Sequence, residues 1–333
     1  MKTITVNYLK KKVDIFLEKG LIFNLSAFID NQRRYFIITD NFVASLYLDA
    51  IIKQMPLFDI YVLAQGESSK NYDEIKNILK EMLEANIQKN DCLIALGGGV
   101  VGDITGFVAS IYKRGINFIS IPTTLISQVD SCLGGKCGID FSIENETYKN
   151  QIGSIYHPET IFIDPNLLLS LPKHEFSAGM SEVIKYGLCF SEPLLNKIME
   201  DAPIADIIFD SLMIKAKITE QDEFDEGLRI SLNFGHTIGH AIESLSQFLI
   251  NHGQAVALGM YYETKQLAIR EFIKTIYHKV GINLDFPFQK KDIFKFIEKD
   301  KKRRHEDITI PVLKEIGKIV IETMTFEEFF RGI

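Results

Sequence analysis

Residues 231–253 read SLNFGHTIGHAIESLSQFLINHG and hold three histidines: His236, His240 four positions on, and His252 twelve positions beyond that. Upstream, Arg229 and Asn233 extend the spacing to i, i+4, i+7 and i+11. At about 100° per residue, a single helix would carry these four side chains within about 60° of one face. The positions between them, Ile230, Leu232, Phe234 and Ile238, are apolar. A catalytic zinc takes three protein ligands and keeps a position open for substrate. His236 and His252 are candidates, and the third ligand is either His240 or a carboxylate from elsewhere. SAGMSEVIKYG offers one in Glu182, with Lys185 at i+3 on a helix otherwise apolar and small. A zinc protease places a glutamate directly after its first histidine to act as base, and HTIGH has threonine there. Hydrolysis is therefore disfavoured.

A second constellation is LGGGVVGDITGF, residues 96–107, in which Gly97, Gly99 and Gly102 satisfy GxGxxG between a strand-like run and a helix-like one. Without β-carbons the backbone approaches a pyrophosphate closely, and the helix N-terminus supplies oriented N–H groups. The turn follows the third strand of the alternating series, and no acid stands about twenty residues on. Asp40 at the end of the first strand, and Glu67 and Lys70 after the second, are placed to hold a nucleoside while Gly98 and Gly99 take the phosphates. Asp130 and Lys136 flank a Gly-Gly turn, where a lysine suits a phosphate or nucleotide. Thr123 and Thr124, taken singly, read as turn residues. A metal acting with a dinucleotide suggests a Lewis acid that polarises a hydroxyl so that it loses hydride.

The elements that must position these groups alternate. YFIIT (35–39), FDIYVLA (58–64), CLIAL (92–96) and FISIP (118–122) read as strands separated by helical stretches, which predicts a parallel sheet covered on both faces. From about Leu167 helical periodicity dominates, including one run over 253–273. The expected fold is an α/β N-terminal domain with a Rossmann-like parallel sheet, residues 1–166, followed by a mainly α-helical C-terminal domain, residues 167–333. The first is expected to bind the dinucleotide, the second metal and substrate. A net charge of -7 argues against a general nucleic-acid binder. The basic run KDKKRRH, 299–305, remains available to a small anion. The most apolar window, 93–112, contains Asp103 and five glycines, which rejects a membrane span. The N-terminus lacks a signal-peptide pattern, and four cysteines form no CxxC pair, so a cytoplasmic protein with idle thiols is expected.

Taken together, ALGGGVVGDITGFVASIYKRG, IPTTLISQVDSCLGGK, SAGMSEVIKYG, GLRISLNFGHTIGHAIE and HGQAVALGM resemble the 3-dehydroquinate synthase family, in that family's order, over residues 40–302. The resemblance implies a homodimeric cytoplasmic enzyme using NAD and a divalent metal, zinc or cobalt. Its substrate would be the sugar phosphate 3-deoxy-arabino-heptulosonate 7-phosphate, converted to 3-dehydroquinate and phosphate in the shikimate route to aromatic amino acids. It implies Glu182, His236 and His252 as metal ligands, with His240 left for a supporting or acid/base role. Lys136, Asn150, Lys185 and Asn233 would contact substrate, Lys215 and Arg229 its carboxylate, and Arg114 its phosphate across the dimer interface. Lys149, Lys301 and Lys302 match family lysines. Asp40, Glu67, Lys70, Gly98, Gly99, Val100, Asp103, Thr123, Thr124 and Asp130, together with Lys136 and Lys149, fall where NAD is held. One departure is the segment GIDFSIENETY, which sets Lys136 and Lys149 further apart than in many members.

Overall fold

The computed structural model describes residues 1–144, 146–246, 249–285, 291–293, 297 and 307–331. Lys301, Lys302 and the rest of the basic run 299–305 lie outside the described residues. The chain divides into two compact units, Met1–Leu171 with Lys215–Glu223, and Pro172–Ile214 with Phe224–Ile333.

The first unit contains strands β1 (Lys2–Asn7), β2 (Lys12–Leu17), β3 (Tyr35–Asp40), β4 (Phe58–Leu63), β5 (Cys92–Gly97), β6 (Asn117–Pro122), β7 (Lys136–Ile143), β8 (Glu146–Ile155) and β9 (Thr160–Ile163). Its helices are α1 (Asn41–Val43), α2 (Asp49–Ile52), α3 (Tyr72–Glu84) and α4 (Gly99–Ile111). Seven strands form one sheet in the order β1-β2-β9-β6-β5-β3-β4. β3, β4, β5, β6 and β9 run parallel, whereas β1 pairs with β2 antiparallel. The strands read from the sequence are present. β1, β2 and β9, which extend the sheet, were not among them.

Alternation along the central strands explains the layers. Phe36, Ile38, Leu93 and Ala95 point into a core with α3 and α4, while Tyr35, Ile37, Cys92, Ile94 and Leu96 point into a core on the opposite face. The chain leaves β4 at one edge and re-enters at β5, on the other side of β3, so strand order reverses between β3 and β5. In open α/β sheets the crevice beyond the carboxyl ends of strands at such a reversal is where ligands bind. Asp40 ends β3 and Gly97 ends β5. The long segment between Lys136 and Lys149 folds as an antiparallel hairpin of β7 and β8, separate from the main sheet.

The second unit holds α5 (Lys173–Phe190), α6 (Glu192–Met199), α8 (His236–Leu245), α9 (His252–Glu263) and α10 (Leu267–Val280). Helix α7 (Ile204–Gln221) begins in it, and residues from Lys215 count with the first unit. Helices dominate, but β10 (Asp307–Glu315) and β11 (Lys318–Thr325) add an antiparallel hairpin that the sequence reading missed. Pro311 inside β10 argues against a strand in sequence, and the hairpin accommodates it as one of only two strands.

Two helix expectations are corrected. Arg229–His240 is not one helix: a 3-10 segment covers Leu228–Asn233, Gly235 takes φ +81°, and α8 starts afresh at His236. The common face of four residues is therefore lost, because the break at Gly235 interrupts the helical periodicity that would align them. The helical run over 253–273 also breaks, at Thr264–Gln266, into α9 and α10. No described helix is long and apolar enough to cross a membrane.

Candidate functional site

In the first unit the glycine turn joins β5 to α4, with Gly98 at the helix N-cap and no side chain capping the helix. The first amides of α4 are thus presented by glycine backbone, which suits a phosphate. Gly98 has little room for a β-carbon, which would come within 3.0 Å of Thr124. Val100 sits in the first turn of the same helix. Thr123 is buried, and its hydroxyl oxygen has no hydrogen-bond partner. A buried hydroxyl left unsatisfied at a strand end is a reason to expect a ligand there. Thr124, by contrast, is engaged with Ser127 at 2.8 Å as a local turn residue.

Around this turn the predicted cofactor residues gather as an ion network. Lys70, 5% exposed, pairs with Asp103 at 2.5 Å, reaches Glu67 at 4.0 Å and donates to Asn150 Oδ1 at 2.5 Å. Lys149 lies 3.8 Å from the same Glu67 carboxylate. Burial pushes the Asp103 carboxyl up and Lys70 opposes it; burial likewise opposes the Lys70 charge, but Asp103 and Glu67 outweigh it and hold that ammonium above its usual range. The longer hairpin is stapled to this network, since Asp140 donates its N–H to the Lys70 carbonyl and accepts from the Asn150 amide through Oδ1. Asn150 takes a left-handed φ of +53°. Such strain in a residue facing polar partners is common at binding sites.

Other predicted residues are placed differently. Asp40 caps the helix after β3, its Oδ1 accepting from the Phe42 and Val43 amides at 2.9 Å. Lys215 is buried against Asp130, bonding its carboxylate at 2.8 Å and its carbonyl at 2.5 Å. These two were expected to serve substrate and cofactor separately. Lys136 is exposed at the start of β7. Arg114 is exposed after α4, and both it and Lys113 have positive φ, 60° and 46°.

In the second unit Glu182 lies mid-way along α5 and is 1% exposed, while His236 and His252 are the first residues of α8 and α9. Each Nε2 lies 3.9 Å from Glu182 Oε1. The three ligand atoms fall within 4.8 Å of one another. Lys185, 2% exposed, forms an ion pair with Glu182 one helical turn away. The apolar positions of α8, Ile238, Ala241 and Ile242, pack with Ala255, Leu258 and β10, which turns His236 and His240 to the other side. His236 is held well below the usual imidazole range by burial, then by the charges of Lys185, His252 and His240. A neutral imidazole is the form that binds a metal. Burial also disfavours charge on His252, but its bond to Glu243 and the nearby Glu182 carboxylate raise it. One carboxylate and two imidazoles, converging with no fourth donor in the set among the described residues, fit a catalytic divalent ion with an open coordination position.

His240 belongs to a second group with Glu243 and His252, its ring centroid 5.9 Å from that of His252 and 5.4 Å from that of His236. Of the two candidates for the third ligand, Glu182 is the one grouped with both His236 and His252 by its ligand atoms. Asn233 is exposed and Arg229 is 3% exposed, both on the 3-10 segment. Glu243 was missed by sequence reasoning. Its Oε2 lies 3.1 Å from His252 Nδ1, an arrangement that fixes the ring and leaves Nε2 toward Glu182. The available signal was its place seven residues after His236, two helical turns along the same face. Asp140 was also missed, because only the hairpin brings it to Lys70.

The family model described as 3-dehydroquinate synthase N-terminal matches residues 60–178, and the one described as 3-dehydroquinate synthase C-terminal matches residues 179–303. Among curated relatives, the 3-dehydroquinate synthase of Alkaliphilus metalliredigens (strain QYMF) is 38% identical over 98% of this chain and 97% of its own. That of Streptococcus mutans serotype c is 37% identical over 98% of each chain. That of Clostridium perfringens is 42% identical over 82% of each. Among solved structures, 2-deoxy-scyllo-inosose synthase complexed with carbaglucose-6-phosphate, NAD+ and Co2+ superposes with a TM-score of 0.87 at 22% identity, covering 100% of both chains. The 2-epi-5-epi-valiolone synthase of Streptomyces hygroscopicus subsp. jinggangensis 5008, with NAD+ and Zn2+ bound, gives 0.86 at 21% identity, covering 100% of this chain and 98% of its own. These two establish the fold, and the full-length relatives establish the lineage: this chain belongs to the 3-dehydroquinate synthase family.

Proposed function

We propose that the chain converts 3-deoxy-arabino-heptulosonate 7-phosphate to 3-dehydroquinate and phosphate, as a lyase that uses NAD and a zinc or cobalt ion in a cytoplasmic homodimer. The observation that carries the reading is the convergence of Glu182, His236 and His252 from three helices, with Lys185 beside them, in a chain whose full-length relatives bear this activity. Residues 1–166 are assigned to NAD and residues 167–333 to metal and substrate.

Bound there, NAD would supply reversible hydride transfer with no net oxidation, and a divalent ion would supply a Lewis acid for the substrate hydroxyl. Glu182, His236 and His252 are assigned to hold the ion. Glu67, Lys70 and Asp103, with the Gly98–Gly99 turn, Val100 and Thr123, are assigned to hold NAD, and Asp40, Thr124 and Asp130 to shape that site. Elimination breaks the carbon–oxygen bond to phosphate, which leaves with the electron pair as the neighbouring carbon loses its proton. Arg114, contributed from the partner subunit, is assigned to the phosphate, and His240 to proton transfer. Lys136, Lys149, Asn150, Lys185 and Asn233 are assigned to orient the substrate. Arg229 offers a carboxylate a planar fork of donors. Lys215, which pairs with Asp130, is assigned to the same carboxylate.

The test follows phosphate release and NADH absorbance together, with the sugar phosphate, NAD and Zn2+ or Co2+, against a chelated control. The expected result is metal-dependent phosphate release with no accumulation of NADH. NADH accumulating without phosphate would overturn the assignment in favour of a dehydrogenase, and silence in both channels would exclude this substrate.

A further inference from the structure

Glu263 is a buried carboxylate to which the reaction above gives no role. It is the last residue of α9, 7% exposed, and its two oxygens reach across to the start of α8. Oε2 accepts the Gly235 N–H at 2.8 Å and Oε1 accepts the Ile238 N–H at 3.1 Å. Helix N-termini leave amides without intrahelical partners, and the preceding residue ordinarily caps them with its side chain. At α8 that residue is Gly235, which has no side chain and is needed in its left-handed conformation to turn the chain out of the 3-10 segment. The cap therefore comes from another helix. A carboxylate at this position gains from the helix dipole and makes charge-assisted bonds, the stronger kind.

The two amides it holds flank His236. His252 stands at the other end of α9, eleven residues and about 16 Å of helix away. Helix α9 thus supplies one imidazole directly and fixes the backbone that carries the other. We propose that Glu263 is a positioning residue for the metal centre: it clamps the first turn of α8 so that the His236 ring meets Glu182 and His252. This rests on the assignment of those three residues to a metal ion, and it adds a residue that touches neither the ion nor the substrate.

Glu263→Gln tests it. The amide keeps the size and one acceptor, but turns an N–H2 group toward a backbone N–H. Metal affinity is measured by titrating metal-free protein with Co2+ against a chelating indicator, and the visible absorption of the Co2+-loaded protein reports ligand geometry. The expected result is a Kd raised about ten- to a hundredfold and a changed Co2+ spectrum. Ile273→Ala, a core cavity in the neighbouring helix, serves as comparison, and is expected to lower Tm while leaving Kd and spectrum as in the unmodified protein. A Glu263→Gln protein with lowered Tm but unchanged Kd and spectrum would make Glu263 purely structural and overturn the inference. If Glu263→Gln does not fold, Glu263→Asp, one methylene shorter, is read by the same two measurements and the same criterion. Failure of the unmodified protein to bind one equivalent of Co2+ would instead sink the metal assignment itself, and the inference with it.

Discussion

Substituting alanine for Gly259 tests what sets the spacing of the two histidine helices. A β-carbon at Gly259 would lie 1.9 Å from the Gly235 carbonyl oxygen and 2.9 Å from the Gly239 nitrogen. Ordinary contact begins at 3.4 Å, so the first distance falls about 1.5 Å short. Both obstacles are backbone, and no side-chain rotation relieves them. Helices α8 and α9 must part, and His236 follows Gly235 directly. A metal site tolerates ligand distances within about 0.2 Å of ideal, several times less than the displacement required. Overpacking of this kind costs about 1–3 kcal/mol, or roughly 2–4 °C of Tm per kcal/mol in a unit of ~150 residues. Co2+ affinity is expected to fall about tenfold or more, since even an outer residue costs that much. Scanning calorimetry of the metal-free protein gives the first quantity and indicator competition the second. A lowered Tm with unchanged Co2+ affinity would show that helix spacing does not set the ligand geometry. Unchanged values of both would mean the contact relaxes without moving either helix.

Asp103→Asn is expected to leave Lys70 with Asn150 and the more distant Glu67, costing about 1–3 kcal/mol in denaturant titrations and weakening NAD binding by calorimetry; unchanged NAD affinity would remove Asp103 from the cofactor site. The thiols are expected to be inert in the native protein. Burial pushes Cys132 up to about 12 and Cys137 up to about 11, so at pH 8 thiolate is on the order of one part in a thousand or fewer. Rapid stoichiometric reaction with a chromogenic disulfide at pH 8 would contradict this. Because both folded values exceed the ordinary 9.0, their contribution to stability is full below about pH 9 and is lost as pH rises toward 11 and 12. Replacing both cysteines by serine should therefore flatten the stability decline between pH 8 and 10.5, and an unaltered slope would refute the linkage.

The sequence by itself determined what depends on near neighbours. The strands Tyr35–Asp40 and Cys92–Gly97, the glycine turn after the second of them, and the i, i+3 pairing of Glu182 with Lys185 are set by alternation, helix periodicity and residue type over a few positions. Residue type likewise marked His236 and His252 as candidate ligands. The break at Gly235 was less legible, because a glycine inside a helical pattern reads equally well as a tolerated helix residue; packing against Met260 and the Val256 carbonyl decides it. The tertiary structure alone shows Glu182 Oε1 3.9 Å from both His236 and His252, since α5 and α8 are separated by more than forty residues of chain. It alone brought Asn150 and Asp140 to Lys70 and Lys149 to Glu67 through the β7–β8 hairpin, and Glu243 to His252. Contacts of that range carry no periodic signature in sequence, because they are fixed by which buried surfaces and backbones approach once the whole chain has packed.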